Sequence, residues 1–171
     1  MPLSTLLIKR IKAAFIDYLI IIGYAMLLLF IANSITSFTR ISLSTDPVKG
    51  QLTGFFTLTL PVFLYFYCSE KSKWKGTIGK KMQKIALQTP ADQSRNTLII
   101  RNFFKFLPWE LAHTGVHWII YYSAEKIEVP VWVWVILLVP QITALAYFIS
   151  IISSKGVSSI YDRIAHTKIR M

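Results

Sequence analysis

The stretch FFKFLPWELAHTGVHWIIYY, residues 103–122, is long enough to cross a bilayer but carries Lys105, Glu110, His113 and His117. A spanning helix needs about 20 mostly apolar residues, and hydropathy alone leaves this one undecided between a span and a helix lying in the interface. Its neighbours are unambiguous. Ala13–Ala32, Leu52–Cys68 and Val129–Ile152 are apolar runs of spanning length, the second with Pro61 near its middle and the third with Pro140. Neighbouring helices tolerate such prolines within a membrane bundle.

Loop charge arbitrates, because Lys and Arg accumulate on the cytoplasmic side. Lys9, Arg10 and Lys12 place the N-terminus inside, and the 33–51 loop, with only Arg40 and Lys49 against Asp46, suits the outside. The segment from Glu70 to Arg101 holds eight basic residues against Glu70 and Asp92, so it belongs inside. If 103–122 did not cross, the basic tail (Lys155, Arg163, Lys168, Arg170) would lie outside. If it crosses, the weakly acidic Glu125–Glu128 loop is outside, the tail returns inside, and every loop obeys the rule. The expectation is therefore an all-α membrane protein of four spans, approximately 13–32, 52–68, 103–122 and 129–152. Both termini would be cytoplasmic, in a bacterial-type cell membrane.

Composition agrees. The 171 residues suit one domain, 1–171. Hydrophobic residues make up 54% and charged residues 16%, against roughly a quarter charged in soluble proteins. The net charge of +11 is spread around the apolar runs and forms no basic helix or arm of its own. That excludes nucleic acid as a partner and points to anionic headgroups along the cytoplasmic loops. Cys68, the single cysteine, excludes an intramolecular disulfide. The first run is too long for a signal-peptide core and contains Asp17, so it reads as a transmembrane helix.

The polar residues inside these runs are the candidate site. Asp17 lies about five residues into its span, roughly 7 Å deep at 1.5 Å per residue. It reads either as a structural group, paired with Arg10 two turns below or meeting Arg101, Lys105 or the Glu110/His113 stripe of a neighbouring helix, or as a carboxylate lining an ion path. Glu110, His113 and His117 form one helical stripe, at a depth of about 10 Å for Glu110. A carboxylate beside imidazoles suits proton relay, and equally a polar seam between helices. HTGVH lacks the glutamate of H-E-x-x-H, Thr114 standing in its place. No metal site, cofactor or catalytic group is expected.

GTIGKK, residues 76–81, is not a phosphate loop: Trp74 occupies the place of its first glycine, and Lys81 that of its Ser/Thr. Gly76 and Gly79 instead suggest a tight turn at the membrane face, with Lys71, Lys73, Lys75, Lys80, Lys81 and Lys84 meeting lipid headgroups. Asp162 is expected to pin the tail against this loop by pairing with Lys80 or its backbone N–H groups. KIALQT (84–89) and Thr167–Met171 alternate enough to pair as a two-stranded element.

Three patches occur in order: Arg10-x-x-Ala13-x-x-Ile16-Asp17, then Gly76 to Lys81 with Gly79 and Lys80, then Tyr161 to Thr167 with Asp162 and Arg163. Together they resemble the RDD family of small multi-pass membrane proteins, over essentially the whole chain. Arg101 falls where that family commonly has an arginine, whereas Lys84 and His166 stand where glycines are usual. The resemblance implies a fold and a membrane location, with transport the usual supposition. Two functions follow. One is transport of a cation, proton or small solute through Asp17, Glu110 and His113, as a homo-oligomer because four helices enclose little path. The other is a non-catalytic scaffold or modulator of a membrane partner or anionic lipid. No nucleophile–base pair suggests an enzyme.

Overall fold

In the computed structural model, which describes residues 4–39, 45–89 and 95–171, the chain is mostly helical. Arg40 and Asp92, counted among the loop charges above, lie outside these residues. Helix α1 runs Thr5–Thr39. Helix α2, Pro47–Gly54, continues through a π-helical turn, Phe55–Thr59, into α3, Leu60–Lys71. After the short α4, Ile78–Met82, and strand β1, Ala86–Gln88, come α5, Arg95–Ala124, and α6, Val131–Ser153; α7, Ile160–Ile164, and β2, Lys168–Arg170, close the chain. Among the described residues, three helices are long and apolar enough to cross a membrane: Thr5–Phe38, Pro47–Lys71 and Val131–Ser153. The first two contain their apolar runs and extend them at both ends; the third begins at Val131, two residues inside its run, because Pro130 is the N-cap, and ends one residue beyond it. The 103–122 stretch lies within α5, one unbroken helix of 30 residues.

Apolar side chains on the long helices point outward, with Phe30 70%, Leu138 60% and Ile142 66% exposed. The buried set is rich instead in polar groups, among them Arg10, Asp17, Glu70, Lys80, Arg101, Asn102 and Asp162. A protein in water has the reverse pattern; here a lipid solvent must cover the apolar faces.

Two prolines inside helices have specific consequences. Proline donates no hydrogen bond to the carbonyl four residues earlier. Pro61 thereby frees the carbonyl of Thr57, within the π-helical turn, and the Tyr24 hydroxyl of α1 donates to it at 2.6 Å. Pro108 frees that of Phe104, and the Tyr147 hydroxyl of α6 donates to it at 2.9 Å. Each helix break is satisfied from the neighbouring helix, as apolar surroundings require.

The expected strand pair forms: β1 and β2 are antiparallel, with Leu87 opposite Ile169. An isolated pair of strands is marginal. This one buries Leu87 and Ile169 against Ala13, Ile85 and Leu98. Each strand ends a similar unit, and the two units repeat at constant separation along the chain. Thr77 and Ser159 are the N-caps of α4 and α7. Lys84 and His166 follow those helices in left-handed conformation, φ 55° and 52°. These are the two positions where the resemblance leads one to expect glycine, the residue such a turn favours. Leu87 N–H donates to the Lys75 carbonyl and Ile169 N–H to the Val157 carbonyl, again in matching positions.

Candidate functional site

Arg10, Asp162, Arg101, Glu70 and Lys80 stand one each on α1, α7, α5, α3 and α4, and form a single alternating chain of charge. Arg10 meets Asp162 at 2.5 Å, and Asp162 meets Arg101 at 2.8 Å. Arg101 also meets Glu70 at 2.5 Å, and Lys80 meets the same Glu70 oxygen at 2.6 Å. Asn102 donates to the other Glu70 oxygen at 3.0 Å. All six side chains are buried. A buried ion pair needs its remaining lone pairs satisfied to offset desolvation, and the two carboxylates are fully occupied here. Burial alone would raise the pKa of Asp162, but Arg101 and Arg10 outweigh it and hold the carboxyl below its ordinary 3.8. Burial pulls the Lys80 ammonium down, with Glu70 opposing.

Asp17 stands beside this chain and takes neutral donors. One carboxylate oxygen accepts the Gly79 N–H at 3.0 Å and the Tyr65 hydroxyl at 3.1 Å; the other accepts the Thr77 hydroxyl at 2.5 Å. Asp17 thus anchors the start of α4, where Thr77 is the N-cap. Close approach makes this workable. A Cβ on residue 79 would fall 2.1 Å from the Ala13 carbonyl oxygen, so glycine at 79 and a small residue at 13 let α4 lie against α1.

The pairings differ from those read in the sequence in three respects. Asp17 is not joined to Arg10, Arg101, Lys105 or the Glu110 stripe, because three donors of α3 and the α4 turn occupy it. Asp162 binds Arg10 and Arg101 in place of Lys80, and accepts the Ser159 N–H of its own helix at 2.8 Å; the tail folds back and buries it completely. Lys80 turns inward to Glu70, away from headgroups, while Lys71, Lys73, Lys75, Lys81 and Lys84 are exposed. Arg163 is exposed and outside the cluster, and Thr167, buried, donates its N–H to the Asp162 carbonyl at 2.8 Å. Sequence reasoning missed Glu70 as the hub. The only signal was an acid one residue from the end of an extended apolar helix, masked by the lysines after it.

A second polar cluster lies further along α5. Glu110 accepts the Gln51 side-chain N–H and, at 2.7 Å, the Thr59 hydroxyl. His113 and His117 pack ring to ring at 4.7 Å against Gly54 and Gly50 of α2, where a Cβ would strike the imidazoles. His113 Nδ1, His117 Nε2 and Gln51 Oε1 are buried without a hydrogen-bond partner. The stripe therefore faces another helix, as expected of polar groups in a membrane.

Between the clusters lies a cavity of about 650 Å³. Arg10, Asp17, Lys80, Arg101 and Lys105 line it, as does Thr59, the partner of Glu110. Apolar side chains of α1, α3, α5 and α6 complete its walls.

Helices with outward apolar faces around a polar interior define a helical membrane protein. The chain matches the RDD family over residues 5–166, and it belongs to that family. No curated protein and no solved structure gives a match.

Proposed function

We propose that the chain crosses a cytoplasmic membrane four times, with both termini cytoplasmic, and carries a small solute in exchange with protons through the Glu110–His113–His117 seam. The topology rests on the strand pair. Because β1 and β2 pair, they lie on one face of the membrane, and the chain between them must cross an even number of times. If α6 crosses, α5 crosses too. Ser4 and Arg10 reach the Lys155 and Gly156 carbonyls, which supports an N-terminus on the same, basic face.

The observation that carries the transport reading is the cavity. It joins the charged cluster to Thr59, and through Thr59 to a carboxylate beside two imidazoles with unpartnered nitrogens. Imidazoles near neutral pH change charge with small environmental shifts. The cationic lining disfavours a metal or alkali cation as cargo. No step requires a catalytic group, so the reading is non-enzymatic.

The alternative, a scaffold that modulates a membrane partner, is favoured by one observation: Asp17, Glu70 and Asp162 are all engaged, leaving no vacant side-chain carboxylate on the basic face among the described residues. Flux in sealed proteoliposomes decides. Wild-type protein should show pH-coupled flux that Glu110→Gln abolishes while its unfolding temperature in detergent is retained. Absence of flux from wild type under every pH and solute gradient would overturn the transport reading.

A further inference from the structure

We infer that the cavity between α1 and the α3–α5–α6 group is a binding site for an anionic phospholipid, with the headgroup phosphate on Lys105 and acyl chain along the apolar walls. Lys105 follows Arg101 by one turn of α5. Its ammonium lies 3.2 Å from the centroid of the Phe66 ring and makes no salt bridge among the described residues, Glu70 and Asp17 acting on it only at longer range. No neighbouring acid among the described residues is left for it. Glu70 is taken by Lys80, Arg101 and Asn102, Asp162 by Arg10, Arg101 and Ser159, and Asp17 by Tyr65, Thr77 and Gly79. Four cations and one acid line the cavity. Charged groups inside a membrane bundle almost always pair with one another or with backbone carbonyls, and an anionic headgroup would supply the acid that Lys105 lacks at contact distance.

The shape selects a lipid over a soluble anion. The volume lies within the range of about 300–1,000 Å³ typical of ligand pockets. Among its lining residues, Tyr18 of α1, Trp109 of α5 and Phe148 of α6 are 61%, 45% and 50% exposed. These are apolar surfaces at the depth of the bilayer, so the opening faces lipid. Helix α1 leans chiefly on α4, reaches the π-helical turn through the Tyr24–Thr57 hydrogen bond, and gives Ile11, Ala14, Tyr18 and Ile21 to one wall of the cavity. A phosphate at the basic end and a chain against Val62, Phe106 and Ile21 would satisfy charge and walls together.

Native mass spectrometry of the full chain in detergent, offered equal phosphatidylglycerol and phosphatidylcholine, tests this. Wild type should retain one phosphatidylglycerol in preference. Lys105→Gln should reduce that preference about fivefold, the factor corresponding to about 1 kcal/mol per lysine near anionic lipid, and Lys105→Arg should keep it. Lys126→Gln, at an exposed position in the turn between α5 and α6, should change nothing. Ala144→Phe, which narrows the cavity without altering charge, should lose the retained lipid and covers the case in which Lys105→Gln does not fold. Equal retention of both lipids, undiminished preference in Lys105→Gln or Ala144→Phe, or displacement by millimolar inorganic phosphate would overturn the inference. Lipid retention is read without flux, so failure of transport leaves this result standing, and the reverse.

Discussion

Replacing Glu70 by glutamine removes one of the two acids in the charge chain and leaves its geometry nearly unchanged. Lys80 then has no carboxylate, and Arg101 keeps only Asp162. The chain holds three cations and two acids, so its surplus rises from one positive charge to two within a buried site. Breaking a buried pair by removing one partner costs about 3–5 kcal/mol, mainly through the uncompensated charge left behind. For a domain of this size each kcal/mol lowers the unfolding temperature by about 2–4 °C, so a drop of roughly 6–20 °C is expected. Thermal unfolding of purified protein in detergent measures it. A second variant locates the cause: Glu70→Gln combined with Lys80→Met removes the stranded ammonium and should recover part of the loss, contacting residues coupling by about 0.5–3 kcal/mol. An unfolding temperature within about 2 °C of wild type for Glu70→Gln would refute the view that this carboxylate joins α3, α4 and α5.

Three further outcomes follow from particular contacts. Gly79→Ala drives a methyl into the Ala13 carbonyl and should cost about 1–3 kcal/mol as an overpacking change; unchanged thermal unfolding would mean that α4 does not lie against α1. Lys84→Gly and His166→Gly relieve left-handed backbone and should each stabilise by up to about 1 kcal/mol, read as a rise in unfolding temperature, whereas a fall would contradict those turns. Asp162 has a folded-state pKa below its unfolded value, so its stabilisation is complete above about pH 3.8 and is lost as pH falls through the lower folded value; Asp162→Asn should flatten that acid limb of a pH–stability profile, and a wild-type profile without the limb would oppose the assignment.

Much of the fold is legible in local pattern. Apolar runs of spanning length, the prolines within them, and alternation in KIALQT and the tail each depend on neighbours a few residues apart. So do the two positions, 84 and 166, where lysine and histidine replace the usual glycine; their left-handed turns follow from helix endings in the same segment. The 103–122 stretch was legible as a helix, and its polar stripe as a face turned from lipid. Glu110 to His117 did turn toward a helix, namely α2, with Gly50 and Gly54 making room.

Partner choice was not legible, because it is decided between residues far apart in the chain. Asp17 had Arg10, Arg101 and Lys105 as plausible cations, and charge alone could not reject them. The packing of Gly79 on Ala13 did so, by bringing the Gly79 N–H and Thr77 hydroxyl to the carboxylate before any cation reached it. Lys80 could not be told from five neighbouring lysines by composition; its position as the third residue of α4 turned it alone inward to Glu70. Asp162 looked solvent-exposed ten residues beyond a span until the tail folded back through β2. The sequence by itself determined a membrane-spanning, mostly helical chain with basic loops and the motifs of its family, since hydrophobicity and turn preference are local quantities. Tertiary structure alone decided which charges neutralise one another and which cation, Lys105, is left over, because that allocation depends on five helices meeting at one point.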